Sequence, residues 1–203
     1  MSLLFIFDMD DVLYDYDWRQ RMAGMTRMTG LSLAELRERW WTAEGELAAE
    51  AGGFATGTEY LAALEAALGC AVDEDEWVRV RGAAMTVRPD SLAAVRRAAE
   101  FGRITLLTNN GALTARHLRT LAPELVDLFG DHLFTSSAYG ARKPDPAVFE
   151  RVLESYGVPA ERAFFADDMP ENVEGAATVG ITAHLYSSAA AMRAAIEDFA
   201  ASR

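Results

Sequence analysis

Five short apolar runs punctuate the chain: LLFIF at 3–7, ITLLT at 104–108, HLFTS at 132–136, AFFA at 163–166 and ITAHLY at 181–186. Continuous runs of this length mark strands covered on both faces, as in parallel sheets. Between them, apolar positions recur at helical spacing. DSLAAVRRAAEF (90–101) leads into the second run, ALTARHLRTLA (112–122) follows it, DPAVFERVLESYG (145–157) leads into the fourth, and PENVEGAATVG (170–180) separates the fourth from the fifth. Gly157 suits a helix C-cap and Pro170 a first helical turn. This strand–helix alternation predicts a doubly wound α/β fold with a parallel sheet.

One stretch breaks the rhythm. From Asp17 to Val87 no strand pattern is found, and helical spacing runs through WRQRMAGMTRM, LSLAELRERWW, TEYLAALEAAL and DEDEWVRVRGAAM. Ser32 and Glu35 have capping-box spacing. Pro89 then restarts the α/β pattern. The expected organisation is a Rossmann-like core from residues 1–16 and 88–203, with a helical insert at 17–87.

The bulk numbers remove several function classes. With 31 acidic against 19 basic residues the net charge is -12, which argues against nucleic acid and anionic membrane surfaces as partners. No apolar run approaches the ~20 residues of a membrane helix, and Asp8 interrupts the first run too early for a signal peptide. Cys70 is the single cysteine, so no intrachain disulfide forms, and it reads as a packing residue. A cytoplasmic location is expected. Oligomeric state leaves no mark on the pattern.

Ligands of doubly wound sheets bind off the carboxyl ends of the strands. The first run ends in Asp8, Met9 and Asp10, and the second in Thr108, Asn109 and Asn110; Arg142, Lys143 and Pro144 follow the third, and the fourth ends in Asp167 and Asp168. Alternation along an extended segment places Asp8 and Asp10 on one side, ~6.6 Å apart. Packing so many carboxylates together is costly unless their pKa values rise or a cation intervenes. Oxygen-only ligands favour a hard ion, Mg²⁺ above others. Lys143 adds a point charge, and Thr108 with the amides after it can hold phosphate oxygens. The set suits phosphoryl transfer. These residues by themselves leave open which of Asp8 and Asp10 would attack.

In this order the motifs resemble those of the haloacid dehalogenase (HAD) superfamily, whose members are mostly phosphatases. DMDDV at 8–12 resembles its first motif, D-x-D-x-T/V; LLTNN its second; RKPDPAVFE its third; and FFADDMPENVEGA its fourth, where Asn172 and Gly175 also match. The helical insert resembles the superfamily's C1 cap. The fourth motif is most similar to the branch of small sugar-phosphate phosphatases, including glucose-1-phosphatase-like proteins. The resemblance implies that Asp8 attacks phosphorus, that Asp10 protonates the leaving alcohol and then activates water, and that Thr108, Asn109 and Lys143 hold the phosphoryl group. It also implies Mg²⁺ on Asp8, the Asp10 carbonyl and Asp168, with Asp167 nearby, and a small phosphorylated metabolite as substrate.

Asp11 stands where many members have Gly and reads as turn chemistry. Tyr14, Tyr16, Arg19 and Phe54 read as structural, as does at least one of Trp40 and Trp41. Glu46, Glu50 and the acidic run 73–76 read as solvated helix faces. Three rival functions are set aside or left standing. A 2-haloacid dehalogenase would not need Asp10 or both motif-four acids. A receiver module meets its Lys last and has no helical insert. A sugar phosphomutase shares every core motif, and only its product separates it from a hydrolase.

Overall fold

The computed structural model describes residues 2–203. In chain order, β1 (Leu3–Phe7) and β2 (Tyr14–Tyr16) lead into α1 (Trp18–Thr29), α2 (Leu33–Leu36), α3 (Gly45–Glu50), α4 (Gly57–Leu68) and α5 (Glu74–Ala83). Next come β3 (Met85–Val87), α6 (Pro89–Ala99), β4 (Gly102–Thr108), α7 (Ala112–Leu121), α8 (Pro123–Phe129) and β5 (Leu133–Thr135). The chain closes with α9 (Pro146–Tyr156), β6 (Ala163–Asp167), α10 (Pro170–Thr178), β7 (Thr182–Leu185) and α11 (Ala189–Ala201).

All five apolar runs become strands of one parallel sheet in the order β5-β4-β1-β6-β7. With β1 central, its carboxyl end lies where the strand order changes direction, the position at which α/β sheets open a crevice. Side-chain parity then distributes the core. Leu3, Phe5 and Phe7 join the cluster closed by α6, α8 and α11, whereas Leu4 and Ile6 join the cluster under α9 and α10. Phe7 is in register with both Leu106 and Ala166, so the residues that follow, Asp8 and Asp167, emerge at one rim. By parity both belong to the face of Ile6 and Phe165. Among the described residues no helix is long and apolar enough to cross a membrane.

The stretch expected to be wholly helical up to Val87 is corrected at its end. Met85–Val87 is a strand, paired antiparallel with Tyr14–Tyr16. Three-residue strands carry no readable period, and this pair is specified by a partner far away in sequence. The ribbon matters for the site: the chain leaves and re-enters the core through two hydrogen-bonded strands lying side by side. The helices between them share an apolar cluster, including Met25, Leu36, Trp40, Leu64 and Trp77, which continues onto Leu113 and Leu121 of α7. Leu113 is fully buried there, and such burial contributes ~1.5–3 kcal/mol to holding the helices against the core. Glu74 adds polar contacts on the same side, to Arg116 at 2.9 Å and His117 at 2.5 Å. The acidic run 73–76 is thus a cap and a set of ion pairs rather than a plain solvated face: Asp73 accepts from the Glu76 amide at the start of α5.

Candidate active site

Beyond β1 the pairing continues for one residue, the Asp8 amide donating to the Ala166 carbonyl at 3.0 Å. This holds the Asp8 side chain against β6. Lys143 reaches the same point from the loop before α9 and is completely buried. Its Nζ lies 2.9 Å from Asp8 Oδ1 and donates to Asp167 Oδ2 at 2.6 Å, with the Phe165 ring beneath it at 5.4 Å. Burial alone would push the ammonium down in pKa, but Asp8 and Asp167 outweigh it and the net shift is upward. The Lys143 peptide is clamped in turn. Asn109 Nδ2 donates to its carbonyl and Asn109 Oδ1 accepts from its amide, both at 2.9 Å. Asp167 Oδ1 accepts from the Met169 amide at 2.9 Å and Asn172 Nδ2 at 3.0 Å.

Helix α10 approaches this loop closely at Gly175, where an added Cβ would stand 2.3 Å from the Pro144 carbonyl oxygen. Gly175→Ala is therefore expected to destabilise by about 1–3 kcal/mol and to lower turnover by displacing Lys143. Thermal melting checks the first and phosphate release the second.

Asp8, Asp167 and Asp168 present carboxylate oxygens within 4.8 Å of one another. Burial, with the Asp167 charge opposing Lys143, pushes the Asp8 carboxyl up to about 8. Burial and the neighbouring Asp167 and Asp11 charges push Asp168 up to about 6. Although Asp8 Oδ1 is close to the ammonium, it is buried and receives no directed hydrogen bond. Crowded, under-satisfied hard oxygen donors are what a divalent cation such as Mg²⁺ relieves, so the residues present fit that ion.

The Asp10 carboxylate stands outside this cluster. Its Oδ2 accepts from Arg81 at 2.6 Å, and its Oδ1 is buried with no partner. The chain turns sharply after it, with Asp11 at φ 59°, in the left-handed region. Thr108 is buried at the end of β4, accepting from Asn110 Nδ2 at 2.9 Å. A cavity of about 270 Å³ gathers Asp8, Asp10, Thr108, Asn109, Lys143 and Asp168. The second, of about 170 Å³, lies between the helices and the core and is bounded by Asp10, Asn109, Tyr16, Trp41, Glu46 and Arg81 among others. Asp10 and Asn109 border both.

Sequence reasoning missed the second cavity's charged lining. Glu46 and Glu50, expected on solvated faces, turn inward. Glu46 Oε2 accepts from Tyr60 at 2.9 Å and Trp40 at 2.5 Å, and Glu50 pairs with Arg142 at 2.6 Å. Burial pushes Glu50 up to about 7 against the pull of Arg142. Each acid turns inward because donors wait there. Tyr16, read as structural, also lines this cavity.

A sequence profile of haloacid dehalogenase-like hydrolases matches residues 3–180. A Mycobacterium tuberculosis phosphatase is 33% identical over 186 residues, covering 89% of this chain and 85% of the relative. Among solved structures, a HAD family enzyme from Bacteroides thetaiotaomicron in complex with magnesium and inorganic phosphate superposes with TM-score 0.71 at 18% identity, covering 92% and 95% of the two chains. The L-2-haloacid dehalogenase of Xanthobacter autotrophicus superposes with TM-score 0.60 at 21% identity, covering 90% and 76%. At these identities the two structures establish the shared fold.

Proposed function

The chain belongs to the haloacid dehalogenase-like hydrolases, and from that membership we propose a magnesium-dependent phosphomonoesterase that passes a phosphoryl group from a small phosphorylated metabolite to Asp8 and then to water. The observation that carries this reading is Asp8 itself. It holds a buried carboxylate oxygen that takes no directed hydrogen bond although an ammonium lies 2.9 Å away, and two further acids are within reach.

In the first half-reaction an Asp8 oxygen bonds to phosphorus as the bond to the substrate's leaving oxygen breaks, and that oxygen takes a proton from Asp10. In the second, a water oxygen bonds to phosphorus while Asp10 takes its proton. The Asp8–phosphorus bond breaks, releasing phosphate and regenerating the carboxylate. Lys143 balances charge on Asp8 and on the transferring group, and Thr108 lies in the same cavity to hold a phosphoryl oxygen. Asp8 and Asp168, with the Asp10 carbonyl, would hold the cation, and Asp167 would orient Lys143 beside it. Bound there, Mg²⁺ supplies neutralising charge at a phosphoryl oxygen. Helices α1–α5 act as a cap that keeps bulk water from the acyl phosphate. The resembling branch acts on sugar phosphates, and the same chemistry ending on a second hydroxyl would make a mutase. Phosphate release from a sugar 1-phosphate distinguishes the two, since a mutase returns an isomeric sugar phosphate.

Chelation by EDTA is expected to stop hydrolysis of p-nitrophenyl phosphate, and Mg²⁺ to restore it. Unaltered rates in chelator would remove the divalent cation from the mechanism. The pH dependence of metal-linked stability follows from the same carboxyls. Asp8 at about 8 and Asp168 at about 6 lie above the ordinary 3.8, so the folded metal-free protein binds more protons than the unfolded chain. Its stability contribution from these groups is present at low pH and is lost as pH rises through the folded values. The cation takes the ionised form. The rise in melting temperature on adding Mg²⁺ is therefore larger near pH 8 than near pH 5.

A further inference from the structure

Asp10 is gripped from outside the sheet. The residue donating to its Oδ2 is Arg81 of α5, which lies 71 positions away in the chain. Arg81 is 3% exposed, and its guanidinium stacks 4.0 Å above the ring of Tyr16, on the ribbon that joins the helices to the core. The other Asp10 oxygen is buried and takes no hydrogen bond. Asp10 also borders both cavities, the one with Asp8 and Lys143 and the one under the helices. One oxygen is fixed, and the other, enclosed and without a partner, belongs to a residue that borders both cavities.

We propose that Arg81 is a positioning residue for the acid–base step. The helical segment supplies a guanidinium that clamps Asp10 so that its free oxygen meets first the leaving group and then water. This rests on the hydrolytic reading above. Without the clamp a carboxylate on a turn can rotate about its side-chain bonds. A charge-assisted hydrogen bond of this length fixes it. The contact is also better matched to the transition state than to the ground state. As Asp10 gives its proton to the leaving oxygen, negative charge grows on the carboxylate, and the Arg81 interaction strengthens with it. The same contact then holds the carboxylate in place for the proton of the attacking water. Because Arg81 arrives on the cap, the acid–base group is set only while the cap sits on the core.

The test uses the full chain with Mg²⁺ and a series of aryl phosphates whose phenols are of decreasing acidity. Arg81→Met is expected to lower kcat about 10–100-fold, with KM within about threefold, the loss being largest for the least acidic phenols, which most need a proton. Arg81→Lys should recover part of the loss. In an Asp10→Asn background, adding Arg81→Met should cost nothing further. Parent-like kcat across the series overturns the proposal. So does a loss that ignores phenol acidity and repeats in full on top of Asp10→Asn, or a raised KM at unchanged kcat, which would make Arg81 a substrate ligand. If Arg81→Met does not fold by circular dichroism, Arg81→Lys decides: a steeper dependence on phenol acidity than the parent supports the clamp, and an equal one rejects it. Full turnover by Asp10→Asn would overturn the acid–base assignment and this inference with it. Slow Asp10→Asn beside an unaffected Arg81→Met overturns this inference alone.

Discussion

Asp8→Asn is expected to reduce turnover on the order of 10⁴-fold or more while leaving the fold intact. The change keeps the shape of the side chain but replaces one carboxylate oxygen by an amide nitrogen and removes the charge needed to attack phosphorus. An amide oxygen carries no charge to donate, and the buried neighbour Asp167 is already engaged by Lys143, Met169 and Asn172. The fold survives because Lys143 keeps Asp167 as its partner. Stability should even improve in metal-free buffer. Burial and the Asp167 charge have already pushed the Asp8 carboxyl up to about 8, so a neutral isostere relieves crowding that the active enzyme retains for its chemistry. The measurements are steady-state hydrolysis of p-nitrophenyl phosphate, acid-quenched phosphoenzyme and a melting curve. Parent-like phosphate release, or a phosphoenzyme still formed in the variant, would remove Asp8 from the role of nucleophile.

The contrast between Asp8 and Arg81 shows why one part of the site can be read from sequence and another cannot. A strand buried on both faces ends where polarity begins, so Asp8 and Asp167 mark the mouth of the sheet through local pattern alone. Register and side-chain parity then bring them to one face, which is a consequence of the fold and needs no further information. Lys143 lies on a loop, where no periodicity exists, and is singled out by its place after the third apolar run and its Pro neighbour, with its role coming from the resembling motif. That resemblance did not disclose that Asn109 clamps the Lys143 peptide with both ends of its side-chain amide. Arg81 belongs to an arginine-bearing helix, and its partner is remote. One signal was nevertheless present. Trp77, Val80 and Arg81 share the buried face of α5, so an arginine stands where helical spacing calls for an apolar residue. A charged group in that position has to find a partner inside the protein. Glu46 and Glu50 were hidden by the opposite circumstance: short helices leave too few turns to define a face. The ribbon of β2 and β3 was invisible because three residues make no pattern.

Lys143→Met should have the largest effect on stability. The substitution keeps the length of the side chain and removes its charge from a fully buried site. Asp8 and Asp167 are then left facing each other without the ammonium that lies 2.9 and 2.6 Å from them. Removing one partner of a buried ionic cluster typically costs about 3–5 kcal/mol, which for a chain of this length lowers the melting temperature by roughly 6–20 °C. Two controls separate charge balance from packing. Adding Asp167→Asn removes one of the stranded charges, so the double variant should regain part of the lost stability. Mg²⁺ should raise the melting temperature of Lys143→Met by more than it raises that of the parent, because the cation replaces part of the missing positive charge. Neither control should bring back turnover. The transferring phosphoryl group still lacks the ammonium, a loss of about 10²–10³-fold for one such donor. A variant that melts within a degree or two of the parent would mean that the two carboxylates do not depend on Lys143 for charge. Recovery of activity in the double variant would mean that the ammonium serves the fold and not the phosphoryl group. The two readouts diverge because stability depends on the sum of charges in the cluster, whereas catalysis depends on where the positive charge is placed.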